Sequence, residues 1–184
     1  MAGLGNPGAE YSGTRHNVGF KVADFLADRW RAPAWSAYLG PAAISLASFE
    51  GASVLLVKPL TYMNSAGTAL KALASKSRVP PDRLIVVHDD IDLPFGRLRI
   101  RTDGGHGGHN GIRSVVDELG TSAFTRVKLG VGRPPEGVSP ADHVLSGFSK
   151  EESEGAEDLI RRASLAVEAF LAHGALSAMN EFND

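Results

Sequence analysis

The 184-residue chain contains no cysteine, and that absence removes several chemistries at once. It leaves no disulfide framework, no thiolate zinc site and no thiol nucleophile. A cysteine-free chain also suits a reducing compartment, so a cytoplasmic location is expected. Long apolar runs are missing too: none approaches the ~18 residues of a membrane span. Met1-Ala2-Gly3 shows no basic segment followed by an apolar stretch, as a signal peptide would. No membrane association is therefore expected. An excess of one charge sign is also lacking, the net charge being −2, which argues against a generic nucleic-acid binder. Internal repeats, low-complexity tracts and a G-x-S-x-G nucleophile elbow are absent as well.

What is present is 43% apolar and 22% charged residues, as in a soluble globular protein, at a length usual for one domain. The charges are unevenly spread. From Arg97 to Arg133 the cations, among them Arg99, Arg101, Arg126 and Lys128, outnumber Asp103, Asp117 and Glu118. From Lys150 onward the acids outnumber the bases. The first segment could meet a polyanion while the tail stays solvated, although charges scattered by chance would give the same composition.

Apolar periodicity supplies the coarse structure. Val18, Val22, Phe25, Leu26 and Trp30 recur at helical spacing to about residue 31, with Asn17 as the expected N-cap. Residues 32–42 read as a loop. Residues 43–49 and 53–58 read as strands joined by the Glu50-Gly51 turn, and a helix carrying Leu70 and Leu73 follows, broken by Pro80-Pro81. The apolar run 84–87 is short enough for a strand buried on both faces. It ends in His88-Asp89-Asp90-Ile91-Asp92, and open α/β sheets place their sites at such strand ends. Residues 97–101 alternate, which predicts a strand with Arg97, Arg99 and Arg101 on one face. A glycine-dense loop follows at 103–111, then a helix to about Leu119 and a strand at 126–131. A Pro/Gly loop then runs to about Gly147, and a last helix spans residues 150–173. This alternation predicts an α/β fold: one domain with a twisted mixed sheet flanked by helices.

Gly3, Gly5 and Gly8 spell GxGxxG. A dinucleotide cradle needs a strand before that motif and a helix opening at its end. Only Met1-Ala2 precede it, Pro7 removes a backbone donor, and the helix starts near Asn17. A metal reading has His88, Asp89, Asp90 and Asp92 with His106 and His109 as nitrogen and oxygen ligands. The two loop histidines sit among glycines, however, where a turn-forming role competes. Water activated by His16 is the remaining chemistry, because histidine titrates near neutral pH. Asp89 or Asp92 could fix its tautomer. Asn6, Asn64 and Asn110 offer amides for a carbonyl or a developing oxyanion, though each alone could equally be a turn or cap residue.

The strings GLGNPGAEYSGTRHNVGF, KPLTYMNSAG, HDDIDLPFG and GGHGGHNGIRSV, in this order and spacing, closely resemble bacterial-type peptidyl-tRNA hydrolases. The likeness continues through RVKLGVGRP and the C-terminal helix. It implies an esterase that frees tRNA from peptidyl-tRNA, acting as a monomer without metal or cofactor. His16 would activate water and Asp89 would orient it. Asn6 and Asn110 would bind substrate near the scissile ester. Asn64 would hold the water or the carbonyl, with Met63 shaping the pocket. Tyr11 would line the cleft and His109 would pack at its edge. Arg99 and Lys128 would grip the tRNA's terminal phosphate, residues 137–145 would form a mobile gate, and His106 carries no role over. The resemblance also implies a buried strand ahead of Gly3. Only Met1-Ala2 stand there, so either the start is cut short or the sheet lacks most of that strand, and a missing strand is expected to leave backbone groups unpaired, at about 1–3 kcal/mol each. Two further readings stand beside this one, a metal-dependent hydrolase and a non-catalytic RNA-binding module. The second lacks an aromatic-interleaved basic sheet.

Overall fold

A seven-stranded mixed sheet organises the chain in the computed structural model, which describes residues 1–38 and 41–183. The elements in chain order are β1 (Ala2–Gly3), α1 (Val18–Arg29), β2 (Ser36–Tyr38), β3 (Ala42–Phe49), β4 (Ala52–Pro59) and α2 (Ala66–Ser77). They continue with β5 (Ile85–Asp90), β6 (Leu98–Arg101), α3 (Asn110–Leu119), β7 (Thr125–Gly130), α4 (Pro140–Leu145) and α5 (Ser153–Phe182). The spatial order is β2-β3-β4-β1-β5-β7-β6. Strands β4, β1, β5 and β7 run parallel, and antiparallel pairs close both edges.

Two apolar layers sandwich the sheet. Val18, Val22 and Leu26 of α1 and Leu159, Ala163 and Val167 of α5 pack with Ile85, Val87, Val127 and Leu129. On the opposite face Leu70 and Leu73 of α2 and Ile112 and Val115 of α3 pack with Leu4, Val57 and Val86. Alternation along β5 thus sends Val87 to one layer and Val86 to the other.

Strand β1 is short, as expected, but its backbone is paired. The Met1 carbonyl accepts from Val57 N (3.0 Å), its amino group donates to Leu55 O (2.8 Å), and Leu4 N donates to Val87 O (2.9 Å). Unpaired groups at this point in the sheet were expected, and hydrogen bonds running from Met1 through Leu4 replace them. Burial pushes the Met1 amine down to about 5.

The motif glycines act in packing. A Cβ on Gly3 would drive into the Gly19 backbone, and one on Gly19 would meet Leu4 N and Val87 O. Helix α1 therefore lies directly on the β1 and β5 backbones. A Cβ on Gly5 would fall 2.7 Å from the Phe20 ring. Gly8 alone of the three has a left-handed φ, 117°.

Four local expectations change. Strand β2 lies within the expected 32–42 loop, pairing Ser36 with Ile44. A cross-strand partner, which no local pattern specifies, makes it a strand. The polar run His88-Asp89-Asp90 continues β5 instead of following it, because β7 pairs with it through Gly130. Strand β6 begins at Leu98, leaving Arg97 outside. The final helix runs on to Phe182 with a break at Gly174, φ 80° and ψ 177°. Beyond that break Asn183 bonds both Ile100 N (2.6 Å) and Ile100 O (3.3 Å), which covers the free edge of β6. Among the described residues no helix is long and apolar enough to cross a membrane.

Candidate active site

The close contact of α1 with the sheet sets a 3₁₀ turn, Arg15–Asn17, over the carboxyl end of β5. His16 there is 9% exposed, and its Nδ1 lies 2.9 and 3.1 Å from the two oxygens of Asp89, itself 1% exposed. Asp89 Oδ1 also takes a bond from His109 Nε2 at 3.0 Å.

The tautomers follow from the partners. His109 caps α3, and its Nδ1 accepts from Gly111 N (3.1 Å) and Ile112 N (3.2 Å). Its proton therefore sits on Nε2 and points at Asp89. His16 donates Nδ1–H to the same carboxylate, which leaves His16 Nε2 as an acceptor. Burial on its own would raise the Asp89 carboxyl. The electrostatic attraction and hydrogen bonds of the His109 and His16 N–H groups overcome it and hold the group well below the usual carboxylate range.

The carbonyl of Asp89 is engaged too, by His88 Nδ1 at 2.6 Å. His88 is fully buried, with its ring edge-on to His109 at 4.6 Å. Burial holds it well below the ordinary histidine range despite the neighbouring carboxylate, so the ring is neutral and Nδ1 is its donor.

Beside this cluster opens a cavity of about 820 Å³. Asn6, Tyr11, His16, Met63 and Asn64 line it together with Asp89, His109 and Asn110. The eight cleft residues expected from sequence thus surround one space. Asn6 is held on every side but one. Its Oδ1 accepts from Met63 N (2.7 Å), its backbone N donates to Asn17 Oδ1 (2.8 Å), and its carbonyl accepts from Asn17 Nδ2 (2.9 Å). These bonds fix Asn6 at the cavity wall. Asn17 therefore braces Asn6, and its side chain does not cap α1. Asn64 and Asn110 stand exposed at the rim, while Met63 is 4% exposed.

Residues 137–145, expected as a gate over the cleft, include its far wall, and what sequence reasoning missed is that this wall is a helix. Helix α4 forms inside the expected Pro/Gly loop and presents Pro140, Val144 and Leu145 to the cavity. Ser139 with Pro140 is an N-cap and N1 signal that could have revealed it. Two anchors hold the helix. Its buried His143 donates Nε2–H to Gly132 O (3.0 Å). At its C-terminal end Arg15 bonds Ser146 Oγ (2.7 Å), Gly147 O (2.5 Å) and Glu152 (2.6 Å).

The six-residue metal set expected from sequence does not assemble. Asp92 lies on the surface, paired with Arg133 at 2.7 Å, and His106 Nδ1 accepts from Gly108 N in its own loop. Among the described residues the group with donor atoms close enough for an ion is His16, Asp89 and His109. A cation at His109 Nε2 would have to displace the only proton of a ring whose other nitrogen already accepts two bonds. The donor set fits a proton network better than a metal.

Arg99 and Lys128 lie outside the cavity and stand directly opposite each other in the β6–β7 register. Lys128 forms an ion pair with Asp90, a cavity residue.

The peptidyl-tRNA hydrolase family model matches residues 1–184. The chain is 48% identical over 184 residues to the peptidyl-tRNA hydrolase of Bacillus licheniformis, covering all of this chain and 97% of that protein. It is 46% identical over 187 residues to the Bacillus subtilis protein of the same name, again covering 100% and 97%. The crystal structure of peptidyl-tRNA hydrolase from Acinetobacter baumannii superposes with a TM-score of 0.93 at 33% identity, covering 99% of this chain and 92% of that one. With its fold, its motifs and its whole length accounted for, the chain belongs to the peptidyl-tRNA hydrolase family.

Proposed function

We propose that the protein hydrolyses the ester joining a peptide to the terminal ribose of tRNA, with water activated at His16. The observation that carries this is the His16–Asp89 pair, 2.9 Å apart, at the wall of a cavity edged by Asn6, Asn64 and Asn110. His16 Nε2 takes a proton from water as the water oxygen bonds to the ester carbonyl carbon. Asp89 stays ionised and steadies the imidazolium. The carbonyl electrons move to oxygen, where amide N–H groups of the asparagines stabilise the charge. One such donor is worth about 10²–10³ in turnover. The oxyanion then collapses, the bond between the acyl carbon and the ribose oxygen breaks, and the proton on Nε2 passes to that departing oxygen. Arg99 and Lys128, paired in register beyond the cavity, suit a phosphate of the tRNA.

One chain supplies every group in this scheme, which supports action as a monomer. The substrate is a product of translation, which supports a cytoplasmic location. The test is peptidyl-tRNA turnover by His16→Ala, with and without chelator. The scheme requires a loss of several orders of magnitude with tRNA affinity retained, and activity of the unaltered enzyme in chelator. A fully active His16→Ala would sink it.

A further inference from the structure

Lys128 already has an anion. Its ammonium pairs with the Asp90 carboxylate, and the two side chains are 26% and 11% exposed. Lys128 stands opposite His88 in the β5–β7 register, and Asp90 lies two residues further along the same strand face. The second oxygen of Asp90 accepts from Asp92 N at 2.8 Å, so the carboxylate is fixed in place. On the other side of Lys128 the β6 partner is Arg99. A half-buried lysine thus sits between a fixed carboxylate and a second cation. A phosphate arriving at this pair meets the charge of Asp90 as well as that of Lys128.

We infer that Asp90 is a specificity-determining residue, the resident anion that any phosphate must displace from Lys128. This rests on the reading of Arg99 and Lys128 as a phosphate grip. A terminal phosphomonoester carries about −1.5 to −2 at neutral pH, whereas each phosphodiester along an RNA carries a single charge. Asp90 also carries one charge. A diester therefore offers Lys128 little that Asp90 does not already provide, and a monoester offers more. The carboxylate sets a threshold that the chain end of a tRNA passes and internal phosphates do not. Discrimination arises by penalising the wrong ligand, as it often does at charged sites.

The experiment measures binding of deacylated tRNA, with its 5′-phosphate intact or enzymatically removed, to the full-length protein and to Asp90→Asn, Lys128→Gln and the double variant. Asparagine keeps an oxygen for Asp92 N but removes the charge. Asp90→Asn should bind both tRNAs about two- to fivefold more tightly, the scale of a partly exposed ion pair. The gain for the 5′-hydroxyl tRNA should be the larger one, which narrows the preference for the phosphorylated end. Neither gain should survive in the Lys128→Gln background. Unchanged or weaker binding by Asp90→Asn, or a wider preference, would overturn the role of Asp90 while leaving the phosphate grip standing. A Lys128→Gln variant that keeps the wild-type preference for the 5′-phosphate would overturn the grip itself, and the inference with it.

Discussion

His109 donates to Asp89 Oδ1 across 3.0 Å, and that oxygen lies 2.9 Å from His16 Nδ1. One buried carboxylate therefore orients two imidazoles, and only one of them has a nitrogen left to take a proton. The two jobs of His109, capping α3 and holding Asp89, separate in His109→Asn. Asparagine is a good N-cap but too short to reach the carboxylate. Stability should stay within about 1 kcal/mol, while turnover falls by roughly tenfold, the weight of one lost hydrogen bond to a charged group. Asp89→Asn should fall much further, on the order of 10⁴, because the wrong His16 tautomer is then favoured. Steady-state turnover and thermal melts on both variants check this. A His109→Asn enzyme that melts early but turns over normally would contradict it.

Stability should decline as pH falls from 8 to 5. Burial keeps His88 neutral in the fold, with its proton affinity held below the ordinary value. The unfolded chain takes up a proton near pH ~6.5. The contribution of His88 is therefore complete above that pH and lost as pH falls toward the folded value. The Met1 amine acts with the same sign between 8.0 and about 5. Asp89, also depressed in the fold, contributes above the ordinary carboxyl value of ~3.9 and adds its loss only below it. Urea midpoints at pH 8, 6.5 and 5 should fall in that order, and His88→Gln should flatten the slope below 6.5. A midpoint that rises on acidification would show that these groups do not govern the pH response.

Asn17→Ala should damage the site more than the helix it precedes. The side chain makes two buried bonds to the backbone of Asn6 and none to α1. Losing them leaves polar groups unpaired, at about 1–3 kcal/mol, and loosens Asn6 at the cavity wall. Turnover should drop at least tenfold, with the helical circular dichroism unchanged at temperatures below the melt.

Asn17 also marks the boundary of what the sequence discloses. An asparagine before an apolar-periodic segment reads as a cap because capping is local, whereas its true partner lies 11 residues back across a loop. Local patterns were sufficient for α1, for the β3–β4 hairpin, whose Glu50-Gly51 turn takes positive φ at both positions, and for the buried run of β5. The residues around the cavity were legible through their motifs. The sharing of Asp89 was not, since it depends on a contact between residues 73 apart and another 20 apart. Strand β2 and helix α4 escaped notice because each is short and exists through tertiary partners, Ile44 for one and Gly132 for the other.

Gly19→Ala tests whether the opening glycines serve packing. The added methyl would collide with the backbones of Leu4 and Val87, neither of which can move without breaking a sheet hydrogen bond. Destabilisation of about 3 kcal/mol or more is expected, beyond the usual range for overpacking, with turnover at low temperature falling because His16 shifts with α1. Gly13→Ala, where no atom lies within 4 Å of the new methyl, should be nearly neutral. Equal melting temperatures for the two variants would refute the packing role.

Arg15 joins the turn carrying His16 to the wall opposite it. Its guanidinium is 8% exposed and reaches Ser146, Gly147 and Glu152, and Phe148 lies under it at 5.0 Å. Removing one member of such a pair leaves a buried charge uncompensated, which costs about 3–5 kcal/mol. Glu152→Gln strands the buried guanidinium, whereas Arg15→Gln strands a carboxylate that is 27% exposed, so both should destabilise and Glu152→Gln should cost the more. Both substitutions release the C-terminal end of α4 while His143 still holds its middle. Proteolytic nicking should therefore accelerate within residues 133–147 ahead of global unfolding. KM for peptidyl-tRNA should rise more than kcat falls, because the cavity loses Val144 and Leu145 as a wall but keeps His16 on Asp89. A fall in kcat alone would place Arg15 in the alignment of His16 instead.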